Sequence, residues 1–371
     1  MKRIVYIQYT NPAAYPPLIH SSGLLAERGW EVLFLAVPAR GAAALTLPRS
    51  ARVQVRQLGS VSGGALGSTK YARYAARALF ATRRFRADWC YASDALSAPI
   101  ALASRALLRT NVIYHEHDAP PHGAGAVMKA RNRLAKTAQV VVAPSAARLV
   151  LLPPGEGRRF VVWNCPRRSE VAPARSALNP DRFRMVYHGS LSRERLTPAF
   201  IEALARLPEH IELHVIGYET QGHRGYAEEL KQRARAAGVG ARFFHHGAIP
   251  ERVELLRRLR EYDLGIATID AASNDPNLGT LAGASNKAFE YMAAGMPFVV
   301  SPQRDWQQMF VEPGYAVACN PADAVSIADA VLAFAQTRER TLAMGEAGRQ
   351  RVLQEWNYDA QFAPVLAELE Q

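Results

Sequence analysis

The residues best equipped for chemistry lie in the segment 285–297, SNKAFEYMAAGMP, which runs directly into the apolar stretch FVVS. Ser285 and Asn286 are good helix N-caps, and Gly295 followed by Pro297 stops a helix sharply, so the spacing predicts a helix over 286–294. The first turn of a helix carries unpaired N–H groups and the positive end of the helix dipole, which together suit a pyrophosphate. Lys287 falls in that first turn, where a cation opposes the dipole unless an anion neutralises it. Glu290, one turn on, has a carboxylate able to accept hydrogen bonds from the two hydroxyls of a ribose. Phe289, Met292 and Ala293 fall on the side expected to pack inward, which is compatible with a ligand at the first turn.

Such a helix needs a parallel sheet to hold its N-terminus at the right place. In the first half, β-branched and aromatic runs at 3–9, 31–37, 52–58, 88–92, 111–115, 139–143 and 159–163 alternate with helical stretches, among them 70–86 and 95–108. Residues 165–182 are rich in Pro, Arg and small residues and read as a linker. The alternation then restarts, with strands at 184–188, 211–216, 242–246, 263–269 and 298–301 and helices between them. Short strands separated by helices imply crossover connections and parallel sheets covered on both faces. The expected architecture is therefore two Rossmann-like, doubly wound α/β domains facing across a cleft. Their boundaries fall at 1–165 and 183–352, with a linker at 166–182 and a C-terminal helix, 353–371, packing back on the first domain. Gly189, Gly217 and Gly247 each close an apolar run in the second half, where ligands of such sheets bind; a tight turn accounts for each one singly.

Composition limits the alternatives. With 371 residues, 49% hydrophobic and 21% charged, the chain is globular and long enough for two domains. No run approaches the length of a membrane-spanning helix, the first residues read directly into a strand, and three scattered cysteines suggest reduced thiols, so a cytoplasmic location is expected. The net charge of +12 is unevenly shared: residues 1–180 hold 25 Lys+Arg against 8 Asp+Glu, and residues 181–371 hold 20 against 25. No zinc-finger spacing or RNP-like aromatic pattern accompanies the basic half, which argues against nucleic acid as the partner. Within helix 70–86, Tyr71, Tyr74, Ala78, Ala81 and Phe85 recur at helical spacing beside Lys70, Arg73, Arg77 and Arg84. That pattern fits either a core-packed helix with a solvated basic face or a helix lying on an anionic membrane.

The order of strand, SNKAFEYMAAG-x-P and strand resembles the C-terminal domain of glycosyltransferase family 4. HGSLSRER at 188–195, ELHVIG at 212–217, the stretch 243–268, VVVAPSAARL at 140–149 and VVWNC at 161–165 are similar to further family motifs in the expected order. The resemblance implies the GT-B fold and transfer of a sugar, with retention, from a nucleoside-diphosphate sugar (UDP- or GDP-linked) to a glycan or lipid-linked acceptor. It implies no cofactor and no catalytic metal. Glu290 matches the ribose-binding glutamate, with phosphate contacts at Ser285, Asn286 and Lys287. The family carries Arg and Lys on the first loop of the second domain; Ser190 and Arg195 occupy those positions here, with Arg193 in reserve. A guanidinium can clamp a diphosphate through two hydrogen bonds. Ala282 stands where many members have a second glutamate near the donor sugar, although relatives of the SPNKLFEY type also lack it.

In the first domain, His115-Glu116-His117-Asp118 follows a strand, and His117 matches a family histidine near the transferred sugar. His-x-His spacing can also chelate zinc, but no third ligand has a recognisable spacing. Asn11 and Tyr15, on the loop after the first strand, are candidate acceptor contacts. A sugar-nucleotide epimerase and a non-catalytic sugar-nucleotide-binding protein remain alternatives to a transferase.

Overall fold

The computed structural model describes residues 1–37, 45–48, 50–59, 68–118, 120, 125–270 and 277–371. The chain divides into two compact units. In the first, strands β1 (Arg3–Gln8), β2 (Glu31–Ala36), β3 (Val53–Gln57), β4 (Trp89–Ser93), β5 (Asn111–His115), β6 (Val140–Ala143) and β7 (Arg158–Val161) form a parallel sheet in the order β3-β2-β1-β4-β5-β6-β7. Helices α1 (Pro16–Glu27), α2 (Ser68–Phe85), α3 (Ala98–Leu108), α4 (Ala126–Thr137) and α5 (Ala146–Val150) connect them.

The second unit runs from Cys165 to Asn357. Strands β8 (Phe183–Leu191), β9 (Ile211–Glu219), β10 (Phe243–His245), β11 (Leu264–Ala267), β12 (Phe298–Val300) and β13 (Ala316–Ala318) are parallel in the order β10-β9-β8-β11-β12-β13. Its helices are α6 (Ala199–Arg206), α7 (Tyr226–Ala236), α8 (Arg252–Leu259), α9 (Asn286–Ala293), α10 (Arg304–Trp306), α11 (Ala324–Ala335) and α12 (Arg338–Gln354). In both sheets the order reverses beside the first strand, creating the switch point beyond which doubly wound sheets bind ligands. The last helix, α13 (Tyr358–Glu370), belongs to the first unit. It buries Tyr358, Phe362, Val365 and Leu369 against the β1–β2 face, and Lys2 Nζ donates to the Leu369 carbonyl at 2.7 Å.

Segment 166–182, read from its composition as a linker, is pinned along the second unit. Ala172 donates its N–H to Ala293 O at 2.9 Å, and Arg175 bonds the Tyr262 carbonyl and the Asp263 carboxylate. Composition reports the absence of periodic burial, not the absence of partners. In α2, the expected apolar stripe turns inward: Tyr74, Ala78 and Ala81 are buried, and Tyr71 and Tyr74 donate to the carbonyls of Leu96 and Leu35. Those aromatics hold the helix to its sheet and are not presented to a membrane. The outer face carries Lys70, Arg73, Arg77 and Arg84, with Phe80 exposed between them. No helix among the described residues is long and apolar enough to cross a membrane.

Candidate functional site

Helix α9 is seated by glycine on two sides. Tyr291 lies flat over Gly265 of β11, where any Cβ would collide with the ring, and its hydroxyl reaches the Val186 and Ile266 carbonyls at 3.1 and 3.0 Å. On the opposite side α12 approaches through Gly345, whose Cβ would meet the Gly295 carbonyl, and Gly348, whose Cβ would lie 3.1 Å from Met292 Cγ. Apolar packing thus fixes the height of α9 on the sheet, and with it the height of its first turn.

Ser285 takes the N-cap position, but its side chain makes no capping bond. This differs from the expected Ser cap, and it leaves the first-turn N–H groups without that partner. Asn286 Oδ1 is buried and has no hydrogen-bond partner among the described residues. Lys287 is only 9% exposed; its stem crosses Gly189, where a Cβ would come within 3.4 Å of Lys287 Cε. The ammonium stands 5.3 Å from the Tyr187 ring centroid. Burial, reinforced by the positive charge of Arg195 and opposed by Glu290, pulls the Lys287 pKa down to about 7. Among the described residues neither Lys287 nor Arg195 has a carboxylate within ion-pair distance. Two cations beside an uncapped helix N-terminus make an anion site.

The glycines divide into separate roles. Gly189 (φ +100°) leaves room for the lysine stem. Gly217 pairs with Gly189 across β8 and β9, where a Cβ would strike the Gly189 carbonyl, so strand packing accounts for it. Gly247 (φ +73°) follows β10 and accepts a hydrogen bond from the Gly217 N–H at 2.8 Å. Arg193, the reserve cation, is engaged elsewhere: its guanidinium pairs with Glu229 and lies 4.6 Å from the Tyr226 ring centroid. Arg195 is held through its main chain, its carbonyl accepting from Thr268 Oγ1 at 3.0 Å.

Glu290 is 2% exposed and bonded to Arg252, a residue the sequence reading passed over. Arg252 also takes Glu170 through Nε at 2.7 Å and Nη2 at 3.2 Å. Burial alone would lower the guanidinium pKa, but Glu170 and Glu290 outweigh it and hold it above the ordinary arginine value. His188 Nε2 lies 3.3 Å from the second Glu290 oxygen. Burial keeps that imidazole neutral, with its pKa lowered to about 4. A signal for Arg252 did exist: it opens α8, so it is a cation in a first helical turn, the very feature that singled out Lys287.

In the first unit, His117 lies beyond β5, 3% exposed, and among the described residues neither ring nitrogen is hydrogen-bonded. Its ring is 3.9 Å from that of His115 and 5.3 Å from that of Tyr15. Burial, and then Arg148, depress its pKa to about 3, so the ring is neutral. Asp94, another residue missed in the sequence, holds the turn: it sits at φ +63° and accepts the His117 N–H at 2.8 Å. Burial and Asp118 push its pKa up to about 8. Glu116 is consumed by Arg131 and by the Tyr114 hydroxyl. Asn11 caps the short 3-10 turn Pro12–Ala14, its side chain accepting from Ala13 N at 3.1 Å. Among the described residues no group of three or more His, Cys, Asp or Glu side chains is placed to hold a metal ion.

The second unit is thus a doubly wound α/β domain in which a buried lysine and Arg195 stand at a helix N-terminus, an arrangement suited to an anion. A family model described as glycosyl transferase-like matches residues 193–367, and one described as a glycosyl transferase 4-like domain matches residues 22–174. The chain belongs to the family 4-like glycosyltransferases and has the GT-B fold. No curated protein matches it in sequence. Among solved structures it is similar to Anabaena HepE in complex with UDP-glucose (TM-score 0.76, 17% identity, 100% of each chain covered). Sucrose-phosphate synthase from Thermosynechococcus elongatus is also similar (0.76, 15% identity, 100% of this chain and 99% of that one). So is WaaG, a glycosyltransferase involved in lipopolysaccharide biosynthesis (0.65, 13% identity, 98% of each).

Proposed function

We propose that the enzyme transfers a sugar from a UDP- or GDP-linked donor to a glycan or lipid-linked acceptor, with retention of configuration and without a catalytic metal. The observation carrying this reading is the buried Lys287 ammonium beside Arg195 at the uncapped N-terminus of α9. A diphosphate leaving group gains negative charge as the glycosidic bond breaks, and fixed cations in a dry site stabilise that charge without a metal ion. Glu290 takes the ribose, and the neutral His117 is suited to hydrogen-bonding a sugar hydroxyl. HepE has been solved with UDP, with UDP and glucose, and with UDP-glucose, which favours a nucleotide-sugar donor. The position of Ala282 leaves the sugar itself to other contacts.

Incubation with UDP- and GDP-sugars and a panel of glycan acceptors should release free nucleoside diphosphate and a glycosylated product. Lys287→Ala should abolish transfer while leaving the thermal unfolding transition cooperative; wild-type turnover in that variant would overturn the assignment. The basic outer face of α2, with Phe80 at its centre, further suits a peripheral site on an anionic membrane, at the cytoplasmic face where a lipid-linked acceptor would be met. Flotation with anionic but not neutral vesicles supports that placement, and equal recovery with both refutes it.

A further inference from the structure

Arg252 joins Glu170, on the segment ahead of β8, to Glu290 in α9. Arg252 is 8% exposed on its side chain and Glu290 3%, so the pair is a desolvated ion pair and not a surface contact. Nη1 of Arg252 takes Oε1 of Glu290, while Nε and Nη2 grip the two oxygens of Glu170. Glu170 is itself anchored, accepting the Arg167 N–H at 2.8 Å in the short turn Arg168–Glu170. The segment bearing it is tied to the end of α9 by the Ala172 N–H to Ala293 O bond and by Arg349, which donates to Ala172 O. Glu290 is therefore oriented by a guanidinium whose own rotamer is fixed from outside the helix.

A carboxylate offers about four acceptor positions. Arg252 occupies Oε1, and His188 stands beside Oε2 without the alignment of a hydrogen bond. Acceptor capacity thus remains for a neighbouring pair of hydroxyls. A Glu290 without Arg252 would keep its charge environment from Lys287 but could swing, and a swinging carboxylate does not distinguish a diol from a single hydroxyl.

We propose that Arg252 is a positioning residue that makes the donor site selective for a ribonucleotide over a deoxyribonucleotide, by locking Glu290 against Glu170. The proposal rests on Glu290 as the ribose acceptor. The test uses the full chain and titration calorimetry with UDP, GDP and their 2′-deoxy counterparts. For the nucleotide that binds, the wild type should prefer the ribo form by about tenfold or more, the worth of a hydrogen bond to a charged group. Arg252→Met should bring the two forms to within about threefold, chiefly by weakening the ribonucleotide. Glu170→Gln, which keeps Arg252 but loosens its anchor, should fall between, and Arg252→Lys should restore part of the preference. Equal loss of affinity for both forms, with the preference intact, would overturn the proposal and make Arg252 a scaffold residue. A preference that survives Glu290→Ala would instead sink the ribose assignment beneath it. Should Arg252→Met fail to fold, Glu170→Gln and Arg252→Lys carry the same comparison, and an unchanged preference in both refutes it.

Discussion

Replacing Lys287 with methionine separates the anion site from its scaffold, because methionine keeps the stem's volume and removes the charge. The buried amine of the folded protein gives up its proton near pH 7, whereas the unfolded chain keeps it to 10.5. Between these limits the unfolded state binds more protons, so this residue makes stability rise with pH from about 7 to about 10.5. Across the whole window the effect is at most about 5 kcal/mol, at about 1.4 kcal/mol per unit. A bound diphosphate supplies the missing counter-charge and returns the amine to its protonated form. Nucleotide binding should then take up almost one proton near pH 8.5 and very little near pH 6. Affinity should fall about fiftyfold from pH 7 to pH 9 as the charged free form becomes scarce. Calorimetry in buffers of different ionisation enthalpy reads the uptake directly; above pH 7.5 the second ionisation of the terminal phosphate is essentially complete. Lys287→Met should bind weakly, show no uptake, and be the more stable protein at pH 7 in the absence of nucleotide. A wild-type binding enthalpy independent of buffer between pH 7.5 and 9, or the same uptake in Lys287→Met, would refute the reasoning.

Four further outcomes are expected. Arg195→Ala should weaken diphosphate binding by at least about tenfold, the scale of a charge-assisted contact. Arg193→Ala, whose guanidinium already serves Glu229 at the surface, should change it less than about twofold; the reverse ranking would reassign the clamp. Gly265→Ala drives a methyl into the Tyr291 ring and should lower stability by about 3 kcal/mol or more, read as a depressed denaturant midpoint. Asp94 has the opposite linkage to Lys287: its pKa is raised from 3.8 to about 8, so its contribution is lost as pH rises across that range. Asp94→Asn should flatten this part of the stability profile; an unaltered slope would show that Asp94 does not titrate there.

Much of this molecule was legible as sequence because parallel sheets write themselves in short apolar runs. The strands at 31–36, 111–115 and 211–219, and the α9 helix with its Gly-x-Pro stop, fall close to where the pattern puts them. Lys287 stood out for a different reason: its charge is at odds with its place in the first turn of a helix. Arg252 carries the same conflict, but its partner Glu170 lies in a stretch without periodicity, and pattern reading has no way to pair residues 82 apart. Asp94 was invisible because its part depends on a positive φ, a property that sequence announces reliably only for glycine. Gly217 shows a different limit: a glycine closing an apolar run can serve a ligand or a neighbouring strand, and only the register with Gly189 reveals the close approach across the sheet.

The double glycine seat of α9 also bears on how this scaffold can diverge. Gly265 beneath the helix and Gly345 and Gly348 behind it each tolerate no side chain without displacing their neighbour. Drift at these positions is therefore constrained, and the height of the first turn of α9 is inherited with them. Position 282 and its surroundings lie outside that unit, ahead of the helix in the chain. A lineage can exchange an acidic residue there for alanine without disturbing how α9 is seated on its sheet. The seat is what allows the residues ahead of the helix to diverge while the helix keeps its place.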